Sequence, residues 1–167
     1  MATNDMDHRE NVSRNPVDRS WAILFARLIL GLIFFMAGTW KLFQLGPLEH
    51  ARKYFLPFSD TFLPLWSLWA VGVVIPFIEF LAGGLLIIGL RTREALLSLG
   101  CVLVIVTFGH LLKESLYEFH THVIPRLVLL LFILVMPREE DWLSIDYWLV
   151  RQRIRKGGAE SGGTSKG

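Results

Sequence analysis

One stretch limits what this chain can become more than any other. From Trp69 to Leu90 every residue is apolar or glycine except Glu79, with Pro76 one helical turn before it. As a helix the stretch reaches across a hydrocarbon core of about 30 Å. A carboxyl group at its middle costs roughly 3 kcal/mol on insertion scales unless it is paired, protonated or facing water. The rest of the chain must therefore supply Glu79 with a partner.

Composition agrees with a membrane setting. Of 167 residues, 53% are hydrophobic and 13% aromatic, too apolar for an ordinary soluble domain and suited to a single membrane domain. The single cysteine, Cys101, excludes an internal disulfide and a cysteine-built metal site, and is expected to be a small buried apolar side chain. The basic residues flank apolar spans, where topology accounts for them, so nucleic acid is not an expected partner.

In chain order, residues 1–20 are polar and predict a flexible cytoplasmic arm. The apolar run that follows is too long for a signal peptide and ends in Thr39-Trp40-Lys41 rather than at a small-residue cleavage site. Residues 21–43 predict the first span, with Arg27, Gly31, Phe34, Gly38 and Lys41 on one stripe at helical spacing. Glycines and a guanidinium on one face point that face into a bundle.

Residues 45–65 contain Pro47, Pro57 and Pro64 with the charged group Glu49, His50, Arg52 and Lys53, which rules out a span. Pro47 suits a first helical turn, and Leu48, Ala51, Phe55 and Phe58 then recur on one side, so a short interfacial helix over the mouth of the bundle is expected. The second span, 66–90, carries Gly72, Pro76, Glu79 and Gly83 on one stripe. Pro76 frees the carbonyl near Gly72 from its helical bond and predicts a kink beside Glu79.

After a basic turn at 91–94, the third span covers 95–112 and places His110 near its exit end. The fourth, 120–136, is short for a full crossing and contains Arg126 directly after Pro125. Residues 138–156 read as an interfacial amphipathic basic segment, capped by Ser144 or Asp141 and suited to anionic headgroups; the Gly/Ser-rich 157–167 reads as a disordered tail.

Lys and Arg concentrate in the N-terminal arm, the 91–94 turn and the C-terminal region. That asymmetry puts both termini in the cytoplasm with four spans between them. The expected fold class is all-α: an integral membrane four-helix transmembrane bundle with short interfacial helices.

Within the bilayer, Arg27 and Glu79 suggest an ion pair, while Lys41, His110 and Arg126 form a basic cluster in the opposite half. Two readings of these residues stand. In one, Arg27, Lys41, Glu79, His110 and Arg126 line a ligand site for a quinone, with Arg126 or Lys41 donating to its carbonyls and His110 or Glu79 handling protons. In the other, the same charges form a network that only fixes helix register. His120-Thr-His122 with His110, Glu114 and Glu118 raises a metal reading, but imidazoles two residues apart serve one helix face poorly, and no metal site is assigned. No nucleotide-binding, haem-attachment or nucleophile-elbow motif is present.

The chain resembles the DoxX-like family of small four-span bacterial membrane proteins. The matching pieces are Arg27-Leu-Ile-Leu-Gly31 leading to Ala37-Gly38-Thr-Trp-Lys41-Leu42-Phe43, Glu79 with Gly83-Gly84-Leu-Leu-Ile-Ile-Gly89-Leu90, then Arg91-Thr-Arg93 and Ser144-Ile-Asp146. The resemblance implies a bundle in the bacterial plasma (inner) membrane, linked to quinone-coupled redox systems and to soluble redox partners. It marks Arg27, Lys41, Glu79 and Asp146 as characteristic polar residues.

The leading expectation is a quinone-linked redox or accessory subunit of a bacterial membrane complex, with other membrane or redox subunits as partners. Any electron transfer would use a partner's cofactor, since the chain shows no ligand set for a haem, flavin or cluster. A non-catalytic assembly or scaffold subunit is the alternative. A small-solute transporter comes third, weakened by the absence of an internal repeat.

Overall fold

The structure, a computed structural model, describes residues 16–113, 121, 123–137 and 141–162. The polar arm at 1–15, Glu114, Glu118, His120, His122, the run 138–140 and the extreme C-terminus lie outside the described residues, so the expectations placed on them find no counterpart. Among the described residues the chain is all-helical.

Helix α1, Pro16–Thr39, passes into a π-helical turn at Trp40–Leu45. Its described part extends back to Pro16, ahead of the Trp21 expected for the first span. Helix α2, Pro47–Tyr54, and a 310 turn at Leu56–Phe58 follow, then α3 at Leu65–Ile88 and α4 at Thr92–Lys113. Helix α5 spans Ile124–Val135 and α6 spans Ile145–Gly162. Helix α6 therefore continues past Lys156 into the Gly/Ser-rich segment expected to be disordered; adding residues to an existing helix is far cheaper than starting one.

Three helices, in α1 with its π turn, α3 and α4, are long and apolar enough to cross a membrane. Helix α5 is apolar but shorter, with Pro125 in its first turn. Helix α1 packs on α3 and α5, and α4 packs on α3 and α5, which closes a ring in the order α1, α3, α4, α5. The shared core holds Ile23, Leu30, Phe34, Leu86, Leu99 and Leu130.

Phe25, Met36, Leu81, Val104 and Val135 are exposed large apolar side chains, the pattern of a surface that faces lipid. Cys101 is exposed too, contrary to its expected burial. On a lipid-facing helix an apolar residue has no reason to turn inward, so hydrophobicity there does not encode burial. Cys101 lines a shallow apolar groove with Val74, Ile78 and Ile105 between α3 and α4.

The closest helix pair is α1 with α3, and glycines set its register. A methyl group on Gly83 would lie 2.9 Å from the Gly31 carbonyl oxygen, and one on Gly38 would strike the backbone of Phe80. Small residues thus let the two backbones touch, the usual device of helix pairing in lipid. Because the helices run antiparallel, this register brings Lys41 to the level of Glu79 and Arg27 to the level of Gly89.

Candidate functional site

The register divides the in-membrane charges between two centres at opposite ends of the bundle. At one end, the Lys41 Nζ donates to Glu79 Oε2 at 2.5 Å. Lys41 is carried by the π-helical turn after α1 and Glu79 by the middle of α3. The Glu79 side chain is 6% exposed and that of Lys41 21%, so the carboxylate is enclosed while its partner reaches the edge. Arg126 of α5 stands with its guanidinium 5.7 Å from the centre of the Phe34 ring, and its charge also acts on Glu79.

At the same end, α2 folds back over α3. Its buried face is His50 and Ala51; of the expected apolar side, Ala51 is seated and Phe55 and Phe58 are half-buried, whereas Leu48 is 65% exposed. The reason lies in α3. Pro76 has no N–H to offer the carbonyl four residues earlier, and that carbonyl, Gly72 O, bonds His50 Nδ1 at 2.7 Å instead. A carbonyl only accepts, so Nδ1 carries the hydrogen and donates it. Gly72 also lacks the side chain that would collide with Ala51, whose Cα and Cβ lie 2.7 Å from where its Cβ would be. Burial is the largest influence on His50 and holds its pKa below the ordinary histidine value; the bond to Gly72 works the other way, and the Lys41 charge reinforces the lowering.

At the other end, Arg27 is 1% exposed and does not meet Glu79. Its Nη1 donates to Asp141 Oδ2 at 2.9 Å and its Nη2 to the Leu143 carbonyl at 3.1 Å. The expected Arg27–Glu79 pair is thus corrected: Gly89, at the level of Arg27, is about 15 Å along α3 from Glu79. Burial pushes the Asp141 carboxyl above the usual carboxylate range, with the Arg27 charge opposing.

Around this pair the segment 141–146 is knotted to the turn between α3 and α4. Ser144 Oγ accepts from the Tyr147 N–H at 3.2 Å and donates to the Asp141 carbonyl at 2.8 Å, making Ser144 the cap of α6. Asp146 reaches across to the start of α4 and accepts from the N–H groups of Arg91 and Thr92, both at 2.8 Å. Its own N–H bonds the Gly89 carbonyl at 3.0 Å. Gly89 sits at φ 70°, and a side chain there would run into the Arg27 guanidinium.

Of the five residues expected to share a site, Lys41 and Glu79 are in contact, with Arg126 acting on Glu79 from α5. His110 is half-buried near the end of α4 that lies at the same end of the bundle. Arg27 belongs to the opposite end. Sequence reasoning passed over His50 as one of a charged group and did not give Asp141 to Arg27. The first had a signal in the Pro76-freed carbonyl; the second, separated from Arg27 by most of the chain, had none. Among the described residues no group of three or more His, Cys, Asp or Glu is placed to hold a metal.

The family model of methylamine utilisation protein MauE matches residues 19–117, a stretch that includes Arg27, Lys41, His50 and Glu79 and ends before Arg126 and Asp141. No curated protein and no solved structure matches the chain. With more than half its length matched, and with three apolar helices of spanning length arranged in a helical bundle, this chain belongs to the MauE family of small multi-pass membrane proteins.

Proposed function

We propose that the protein is an integral-membrane accessory subunit of a methylamine-utilisation system, crossing the bacterial plasma membrane four times with both termini cytoplasmic. Membership of the MauE family supports the system, and the Lys/Arg asymmetry between the two sets of loops supports the orientation. The observation that carries the accessory role is the use of the buried charges. Arg27 ties α1 to the segment before α6, and Lys41 ties the end of α1 to α3, so each charge joins separate elements. The apolar groove beside Cys101 is lined by no polar side chain other than that thiol. This is the chemistry of a rigid membrane part that presents a surface to other components.

A quinone-linked form of the same role rests on one observation. Lys41 and Arg126 set two cationic donors near one carboxylate at one end of the bundle, which suits the carbonyls of a quinone headgroup. The DoxX-like motifs favour this form as well.

Purification in a mild detergent separates the two. The accessory reading expects other subunits to co-purify stoichiometrically and to be retained in Glu79→Gln. Extracted quinone near one per chain, lost in Lys41→Met and in Glu79→Gln while the helix content is kept, supports the quinone-linked form. A chain that purifies alone from its native membrane, without subunits or quinone, overturns both.

A further inference from the structure

We propose that α2 is a proton-operated cover over the Lys41–Glu79 pair, latched by the hydrogen bond from His50 to the Gly72 carbonyl and released when His50 takes up a proton. The inference stands apart from the accessory-subunit reading, since it concerns one helix and one imidazole.

The latch is built from three residues that have no other need of one another. Pro76 leaves the Gly72 carbonyl without its helical donor, inside a membrane helix where an unmet carbonyl is costly. His50 answers it from α2 at 2.7 Å. Gly72 lets Ala51 come close enough for that bond to form, and Ala51 is fully buried as a result. Apart from Ala51, the face that α2 buries is this imidazole. Tyr54 and Phe55 flank the ring at 5.2 and 5.6 Å between centroids, so the imidazole is held from its sides as well.

Position makes the latch a cover. Gly72 lies about 10 Å nearer the start of α3 than Glu79 does, and α2 packs on both α3 and the π-helical turn that carries Lys41. A path from that end of the bundle to the Glu79 carboxylate therefore passes α2.

The imidazole is also the group on α2 suited to respond to protons. With Nδ1–H committed to Gly72, an incoming proton must settle on Nε2 and turn the ring into a buried cation. The groups that face it decide the outcome. Lys41 comes from the π-helical turn and is positive; Glu79 comes from α3 and is already paired with Lys41 at 2.5 Å. The 310 turn brings only Leu56, Pro57 and Phe58. On α2 itself, Glu49 is bound to Arg52 at 2.8 Å on the exposed side, and Lys53 lies over the Tyr54 ring. A protonated His50 thus meets a neighbouring cation and an already neutralised carboxylate, and burial opposes its charge. Water outside is the better place for it, and leaving means lifting α2.

Hydrogen exchange on the full chain in lipid nanodiscs tests this, with rates corrected for the intrinsic pH dependence of exchange. Protection of the His50–Tyr54 amides should fall between pH 7.5 and pH 5, by roughly tenfold for each unit by which the histidine pKa differs between latched and released states. Protection at residues 78–88 of α3 should stay constant. His50→Gln keeps a side-chain donor for Gly72 but does not titrate, and its α2 protection should not change with pH. Pro76→Ala returns a helical N–H to Gly72, competes with the latch, and should loosen α2 already at pH 7.5 with α3 intact. Wild-type protection that is constant over the pH range overturns the proposal. So does an equal fall in His50→Gln, or a Pro76→Ala variant with α2 as protected as the wild type.

Discussion

Replacing Arg27 by methionine tests whether the buried guanidinium serves Asp141 or Glu79. Methionine keeps most of the aliphatic stem in a core position but removes both donors, to Asp141 Oδ2 at 2.9 Å and to the Leu143 carbonyl at 3.1 Å. What remains is a carboxyl group that is 10% exposed with no cation beside it. Breaking a buried pair from one side costs about 3–5 kcal/mol, mostly as the penalty on the stranded charge. Changing both partners, in Arg27→Met with Asp141→Leu, removes that charge and leaves chiefly the lost bond to Leu143, about 1 kcal/mol. The double variant should therefore recover 2 kcal/mol or more on this scale, roughly half or more of the loss.

The same argument gives a sign for pH. Burial already raises the Asp141 pKa, and losing Arg27 raises it further. A carboxyl whose folded-state pKa lies above its unfolded value binds its proton more tightly when folded. Stability of Arg27→Met should then increase, relative to wild type, as pH falls through that raised folded-state pKa. The assay is reversible unfolding in bicelles, by denaturant or steric trapping, at pH 7.5 and pH 5. A control pairs Arg27→Met with Glu79→Leu, whose effects should simply add. Coupling of Arg27 to Glu79 rather than to Asp141 would refute the assignment, and a penalty independent of pH would refute the stranded-carboxylate account.

Other expectations concern single contacts. Asp146→Ala removes the carboxylate that accepts both the Arg91 and Thr92 N–H groups, and should lower stability by about 1–2 kcal/mol, with faster amide exchange confined to the first turn of α4. Arg91, at φ 48°, holds a conformation that glycine adopts without strain, so Arg91→Gly should leave stability equal or up to about 1 kcal/mol higher in the same unfolding assay. Gly83→Leu forces a side chain into the α1 backbone at Gly31 and Phe35; a loss of about 3 kcal/mol or more is expected, with the α1–α3 contact opened as read by cross-linking between engineered cysteines.

The helices themselves follow from the residues. An apolar run of membrane length fixes α3 wherever it is placed, Pro47 and Pro125 sit in the first turns of α2 and α5, and Ser144 caps α6 because these preferences are local. Even the freed carbonyl at Gly72 was legible, since a proline silences the bond to the residue four before it whatever the fold. The lipid-facing surface was legible only as apolar, and for that reason the exposed Cys101 could not be told from a buried residue.

Partners were another matter. Glu79 demanded a counter-charge by the physics of the bilayer, and the sequence alone made that demand while favouring Arg27 over the separate cluster of Lys41, His110 and Arg126. The choice came from the antiparallel register of α1 on α3, which glycine contacts at Gly31, Gly38 and Gly83 set, and which carries Lys41 to Glu79 and Arg27 to the opposite end. It also depended on Asp141 and Asp146 folding back from far along the chain to the turn at Gly89 and Arg91. Local propensity determines which segments are helices and which charges need neutralising; only long-range packing, where backbones meet within van der Waals contact, decides which charge stands beside which.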